Sequence, residues 1–250
     1  VSETGPPDPY ISVKNALNYF LYPVNENDNG KLFEFDPKQD LLQEVCTFKF
    51  PREVIFQSND NSGSAGNEGT LFVNAEEVYS VDCETNAKSS LDVSMYKIIY
   101  DTMFNKLYGL DDASDECESD RIVRIHEIDK DGTTTILEEI DGQAGGFFIN
   151  PHNGFLNVYM RFDDKKLGDL PARLIEIDPL GMESNVTHDL DITFAGPDLN
   201  LDVDAGQFYY SFTTPFIDSV NNKIYLPNGG HSNISVVEFE RRDFLSLREG

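Results

Sequence analysis

Apolar and polar residues alternate in short runs along this chain, and the runs are split by Asn, Asp, Gly and Pro. The 3.6-residue spacing of amphipathic helices is nearly absent, so the pattern predicts an all-β protein. One run recurs, an apolar strand that ends in an acid. Its copies are 32–36 (LFEFD), 78–82 (VYSVD), 125–129 (IHEID), 174–178 (LIEID) and 236–240 (VVEFE). The terminal acids Asp36, Asp82, Asp129, Asp178 and Glu240 lie 46, 47, 49 and 62 positions apart. A period of about 47 matches the roughly 40–50 residues of a four-stranded propeller blade.

A second repeat has the layout of a hairpin. Residues 99–108 (IYDTMFNKLY) align without gaps on 216–225 (FIDSVNNKIY), with a looser copy from Phe148 through Asn150 to Leu156. An apolar strand, an Asp- and Asn-containing turn and a second apolar strand are what a tight β-hairpin needs. Together the repeats predict five units of four strands. First strands are expected near 10–14, 52–57, 95–100, 146–149 and 207–212. Second strands are expected near 18–23, 70–74, 106–110, 155–161 and 223–226, and the acid-ended runs are third strands. Fourth strands are expected near 41–48, 88–93, 133–140, 188–194 and 244–247. The 62-residue interval implies an insertion around 181–205.

The D-x-x-x-N-K-L/I-Y hairpin resembles the repeats of NHL and low-density-lipoprotein-receptor-type β-propellers, and Gly229-Gly230 after a strand resembles kelch. The chain has no Trp and no YWTD tetrapeptide, so the resemblance is one of architecture. It implies a β-propeller of about five four-stranded blades, or part of a six- to eight-bladed ring. Residues 10–250 would form a single domain behind a tail at 1–9, whose Glu3-Thr4-Gly5 matches the scar left by secretion vectors. Fold does not supply function.

Charge narrows the partners. Against 19 Lys and Arg stand 45 Asp and Glu, for a net charge of −26. Such a surface repels phosphate backbones, which disfavours nucleic acid and anionic membrane, and no apolar run is long enough to cross a bilayer. The sequons at Asn185 and Asn233 fit a secreted or cell-surface glycoprotein. Three cysteines allow one disulfide. Cys83, after a third strand, can approach Cys117 in the next unit's loop, whereas Cys46 with its apolar neighbours reads as a buried thiol.

Propeller topology places the loops joining strands 2 and 3, and those joining strand 4 to the next strand 1, on one face. That face would collect Asp111, Asp112, Asp115 and Asp120, with Glu116 and Glu118 among them, together with Asp163, Asp164 and His231. Crowded carboxylates repel unless a cation or basic group offsets them. The expected ligand is a protein or glycan of basic character, or one bridged by a cation, and a solvated loop is the plain alternative. For calcium, the expected cation, Asp198, Asn200, Asp202 and Asp204 place oxygen ligands at alternate positions, as any half-buried strand also does.

Residues 127–138 imitate an EF-hand loop, but their flanks read as strands and Asp131-Gly132 as a hairpin turn. No nucleophile elbow or phosphate loop is present, so no catalytic residue is assigned. The functional expectation is an extracellular recognition module. The alternative is a propeller glycoside hydrolase using a carboxylate pair on first strands.

Overall fold

A computed structural model describes residues 10–14, 17–23, 29–36, 39–58, 69–83, 85–102, 104–113, 122–161, 171–193, 215–218, 220–227 and 234–240. Among them every regular element is a β-strand, and the strands form five antiparallel sheets whose internal order follows the sequence. The first sheet holds β1 (Tyr10–Lys14), β2 (Leu17–Pro23), β3 (Asn29–Asp36) and β4 (Leu41–Lys49). The second holds β5 (Glu53–Ser58), β6 (Gly69–Asn74), β7 (Val78–Asp82) and β8 (Lys88–Ser90). The third holds β9 (Lys97–Asp101), β10 (Lys106–Ala113), β11 (Ile122–Ile128) and β12 (Thr134–Asp141). In the fourth are β13 (Gln143–Ile149), β14 (Leu156–Arg161), β15 (Pro171–Ile177) and β16 (Val186–Thr193). Three described strands make the fifth: β17 (Phe216–Asp218), β18 (Lys223–Pro227) and β19 (Ile234–Glu238).

Four first strands fall where the repeats predict them, but the fifth differs. β17 at Phe216–Asp218 is the strand that pairs with β18, Phe216 opposite Tyr225 and Asp218 opposite Lys223. The expected strand at 207–212 and the expected fourth strand at 244–247 lie outside the described residues. Residues 186–193 form β16, so the extra length of this unit falls after Thr193.

Contacts group the chain into two units, Val1–Asp111 with Ile125–Ile136, and Asp112–Arg124 with Leu137–Gly250. In the first unit β1 lies beside β5, and β5 beside β9. The run Leu71-Phe72-Val73 shows why some strands are apolar throughout. Leu71 and Val73 join a core with Leu32, Phe48 and Val54, whereas Phe72 joins Met95, Ile98, Leu107 and Ile128. A strand covered on both faces has no reason to alternate. In the second unit Tyr159, Leu174 and Leu190 pack against Ile224, Leu226, Val237 and Phe239. That core covers one face of the fifth sheet, and β19 alternates accordingly, with Ser235 and Val237 buried and Ile234 and Val236 exposed.

Both repeats are explained by turns. Asp101 Oδ1 accepts from the Phe104 N–H at 3.2 Å, and four residues after Asp101 Asn105 takes φ 56°. Asp218 Oδ1 accepts from the Val220 and Asn221 N–H groups at 2.9 and 3.1 Å, and Asn222 takes φ 54°. In the looser copy Asn150 Oδ1 accepts from the His152 N–H at 3.0 Å, and Gly154 takes φ 69°. Asn and Gly tolerate this left-handed backbone better than other residues, which is why they recur there.

The acids ending third strands act alike. Asp82 Oδ1 accepts from the Thr85 N–H at 2.8 Å, and Asp36 Oδ1 from the Gln39 N–H at 3.4 Å. Buried Asp178 accepts from the Leu180, Met182 and Glu183 N–H groups at 2.8–3.0 Å. In the 127–138 segment this role passes to Asp131, whose Oδ1 accepts from the Thr133 N–H at 3.0 Å, before Gly132 at φ 86°. Strands β11 and β12 flank that turn, so the EF-hand resemblance is a hairpin.

Candidate functional site

Strand order sends the two ends of each sheet to different connections. One end carries the connections within the strand 1–2 and strand 3–4 pairs. The other carries those between strands 2 and 3 and from strand 4 to the next sheet, among them the acidic loops expected to bind a ligand. Asp111 and Asp112 lie within β10, which runs on to Ala113 at the loop end, whereas the repeats predict a strand that ends near 110 and leaves both in the following loop. Asp111 is half-buried and has no hydrogen-bond or ion-pair partner among the described residues. Asp115, Asp120, Asp163, Asp164 and His231 lie outside the described residues, as do Asp198, Asn200, Asp202 and Asp204. Among the described residues no group of three or more His, Cys, Asp or Glu side chains is placed to hold a metal ion.

The described floor of the loop end is a polar latch between the second and third sheets. Glu53, first residue of β5, sits opposite Asn74, last residue of β6. Its Oε1 accepts from the Ile98 N–H at 2.7 Å and from Asn74 Nδ2 at 3.2 Å, and its Oε2 pairs with Lys97. Arg52 donates from Nη1 to the Met95 carbonyl at 2.6 Å, and its guanidinium lies 5.7 Å from the Tyr96 ring centroid. Lys49 and Glu76 add an outer pair at 3.7 Å.

Glu53 is the one carboxylate that the described first strands place at this end; Asp101 and Asp218 lie at the turn end. With three donors on it, Glu53 ties β5 and β6 to β9. The latch was not visible in sequence, because Glu53 and Ile98 are 45 positions apart.

The described histidines are enclosed by neighbouring residues. His126 is buried, His152 stacks on Phe239 with centroids 5.8 Å apart, and His188 Nε2 lies 2.9 Å from the buried Glu176 carboxylate. Asn185 is exposed between β15 and β16, and its Nδ2 donates to Glu138 Oε2 at 2.7 Å; Asn233 lies outside the described residues. Cys46 on β4 is a half-buried free thiol whose pKa burial pushes up to about 11. Cys83 is buried in the core between the first two sheets, and its expected partner Cys117 is outside the described residues.

A cavity of about 460 Å³ opens at the other end of the third sheet, among its tight turns. Phe72, Tyr100, Leu107 and Ile128 form its apolar walls. Its walls come from four strands, β6, β9, β10 and β11, and a hydrophobic period along one strand does not report on the others. Tyr100 and Asn105 were legible only as members of the repeated hairpin.

No family model and no curated protein matches the sequence. Solved structures do match the fold. Superposition on a chain of the nidogen/laminin complex gives a TM-score of 0.53 at 10% identity, covering 94% of this chain and 77% of the other. The β-propeller domain of the Trilobed protease from Pyrococcus furiosus, described as having an open velcro topology, also gives 0.53. There the identity is 14%, and the match covers 95% of this chain and 70% of that one. Identities this low establish architecture alone. With five sheets of up to four antiparallel strands in sequence order, the chain is by fold a β-propeller of about five blades.

Proposed function

We propose that this propeller is a non-enzymatic extracellular or cell-surface recognition module whose loop face takes a protein partner of basic character. The carrying observation is the placement of Asp111. It lies two residues before the loop-end terminus of β10, its side chain has no partner among the described residues, and it opens a run with Asp112, Asp115, Glu116, Glu118 and Asp120. Asp36, Asp82, Asp101, Asp131, Asp178 and Asp218, at the turn end, all hold backbone N–H groups instead. A net charge of −26 adds long-range attraction for a basic partner.

Calorimetric titration with a lysine-rich peptide tests this reading. Binding should weaken about tenfold or more between 50 and 500 mM salt, as screening shortens the reach of the loop carboxylates. Salt-independent binding, or no binding, overturns it. The hydrolase alternative requires glycoside cleavage that is lost with a loop-face carboxylate, and a panel of chromogenic glycosides checks it.

The same reading includes calcium at Asp198, Asn200, Asp202 and Asp204, hard oxygen donors of the kind this cation takes. Calcium at a hundred times its dissociation constant would stabilise the fold by about 2.7 kcal/mol. Chelation should then lower Tm by roughly 5–11 °C. Asp202→Ala should remove most of that shift and Asp131→Ala none of it. Unchanged melting on chelation eliminates the metal and leaves the basic-partner reading to the salt titration.

A further inference from the structure

The cavity at the turn end of the third sheet lies away from the loop face and has a definite chemistry. Its lining includes an aromatic pair, Phe72 and Tyr100, with ring centroids 6.1 Å apart and planes inclined by 31°. Phe72 is 5% exposed, whereas Tyr100 is half-buried and its hydroxyl is held by Asn105. The Tyr100 ring is thus fixed in orientation at the edge of a core that includes Leu107 and Ile128.

The rim is charged, and the charges are not equivalent. The Lys106 ammonium is 2.7 Å from Glu127 Oε2, which largely neutralises both groups. Asp129 and Asp131 are exposed on the turn beside the cavity, with Lys130 between them. Asp131 is held in its ionised form, because hydrogen bonds from Thr133 lower its pKa below the usual carboxylate range.

We propose that this cavity is a subsite for a guanidinium, the arginine side chain of a basic ligand. A planar cation gains on an aromatic face, and a guanidinium more readily than an ammonium. Its remaining N–H groups match carboxylate geometry, which the turn supplies through Asp129 and Asp131. The volume falls within the range of ligand pockets. A neutral sugar would use the same aromatic pair and donate hydroxyls to the carboxylates, but it would gain no Coulombic attraction from them or from a net charge of −26, so the guanidinium is favoured. The proposal is independent of the loop-face reading, since none of its residues belongs to that face.

The test is an amide-resolved NMR titration of the full chain with N-acetyl-L-arginine amide. N-acetyl-L-glutamine amide and a neutral methyl galactoside serve as comparison ligands. The arginine derivative should shift amides in 100–107 and 127–133, with weakening at high salt and little response to either comparison ligand. Asp129→Asn with Asp131→Asn should weaken binding about fivefold or more, because the amide oxygen introduced at position 131 can still accept from Thr133 and keep the turn. Tyr100→Leu, which leaves the acids untouched, should weaken it as well, and retained amide dispersion shows that each variant is folded. Equal shifts from the glutamine derivative or the galactoside, or arginine shifts confined to 111–113 and neighbouring loop residues, overturn the proposal. The last pattern would still support the loop-face reading.

Discussion

The two ends of the sheets carry similar residues to different effect. At the turn end, Asp is an element of the backbone: Asp82, Asp178 and Asp218 each accept one or more main-chain N–H groups, and left-handed residues such as Asn86 and Asn222 complete the turns. At the loop end, Asp111 has no such duty among the described residues. Glu53 between the second and third sheets faces inward to a lysine and an amide. An acidic composition therefore conceals two populations of carboxylate, one needed for folding and one available to a partner. Composition alone assigns no individual acid to either.

The largest way to break this contrast is to deform a turn. Gly132 has φ 86°, and a Cβ there would stand 2.1 Å from the Leu91 carbonyl oxygen. Because the clashing atom is backbone, Gly132→Ala should cost about 3 kcal/mol and lower Tm by roughly 6–12 °C. A shift under about 2 °C in a thermal melt would show that the turn accommodates the methyl. Next in size is Asp178→Ala, which removes the buried carboxylate that accepts three N–H groups and should cost about 2–3 kcal/mol. Asp111→Ala should stay within about 0.5 kcal/mol. Equal losses in urea denaturation would erase the distinction between the ends.

A smaller effect is expected from acid. Hydrogen bonds from Thr133 lower the pKa of Asp131, and those from Asn221 lower that of Asp218. Folded pKa values below the unfolded ones mean that this stabilisation is complete above the unfolded value of about 3.9 and is lost as pH falls through the lower folded values. Replacing both residues with Asn should flatten Tm against pH below about 4 and lower it slightly near neutrality, where the native carboxylates supply this stabilisation, so that the two proteins converge in acid.

Much of this organisation is legible in the chain, for physical reasons. Turn chemistry is local, so D-x-x-x-N and the acid-ended strands mark hairpin positions directly. The fifth unit shows the limit. Residues 207–212 (QFYYSF) are aromatic enough to read as a first strand, yet β18 pairs with Phe216–Asp218. The partner of a strand is decided by the turn that joins them, and the gapless alignment of 216–225 on 99–108 already contained that answer. Side-chain contacts across sheets were not legible. The Glu53–Ile98 latch and the cavity beside Tyr100 each join residues far apart in the chain. As for the candidate site, the sequence places Asp111 and its neighbours at a loop end, but it does not show which other acids are engaged in turns.

The most direct measurement is the affinity of the lysine-rich peptide for two variants of equal charge. One neutralises Asp111, Asp112, Asp115, Glu116, Glu118 and Asp120 as Asn or Gln; the other does the same to the exposed acids Asp40, Glu44, Asp92, Glu139, Asp141 and Glu183. Both change the net charge by six, so a general electrostatic attraction weakens equally in the two. If the loop face is the docking surface, the first variant should lose about tenfold or more in affinity, or roughly 1.4 kcal/mol, and the second far less. Equal losses would contradict the account and reduce the acidic loops to part of a uniform charged coat.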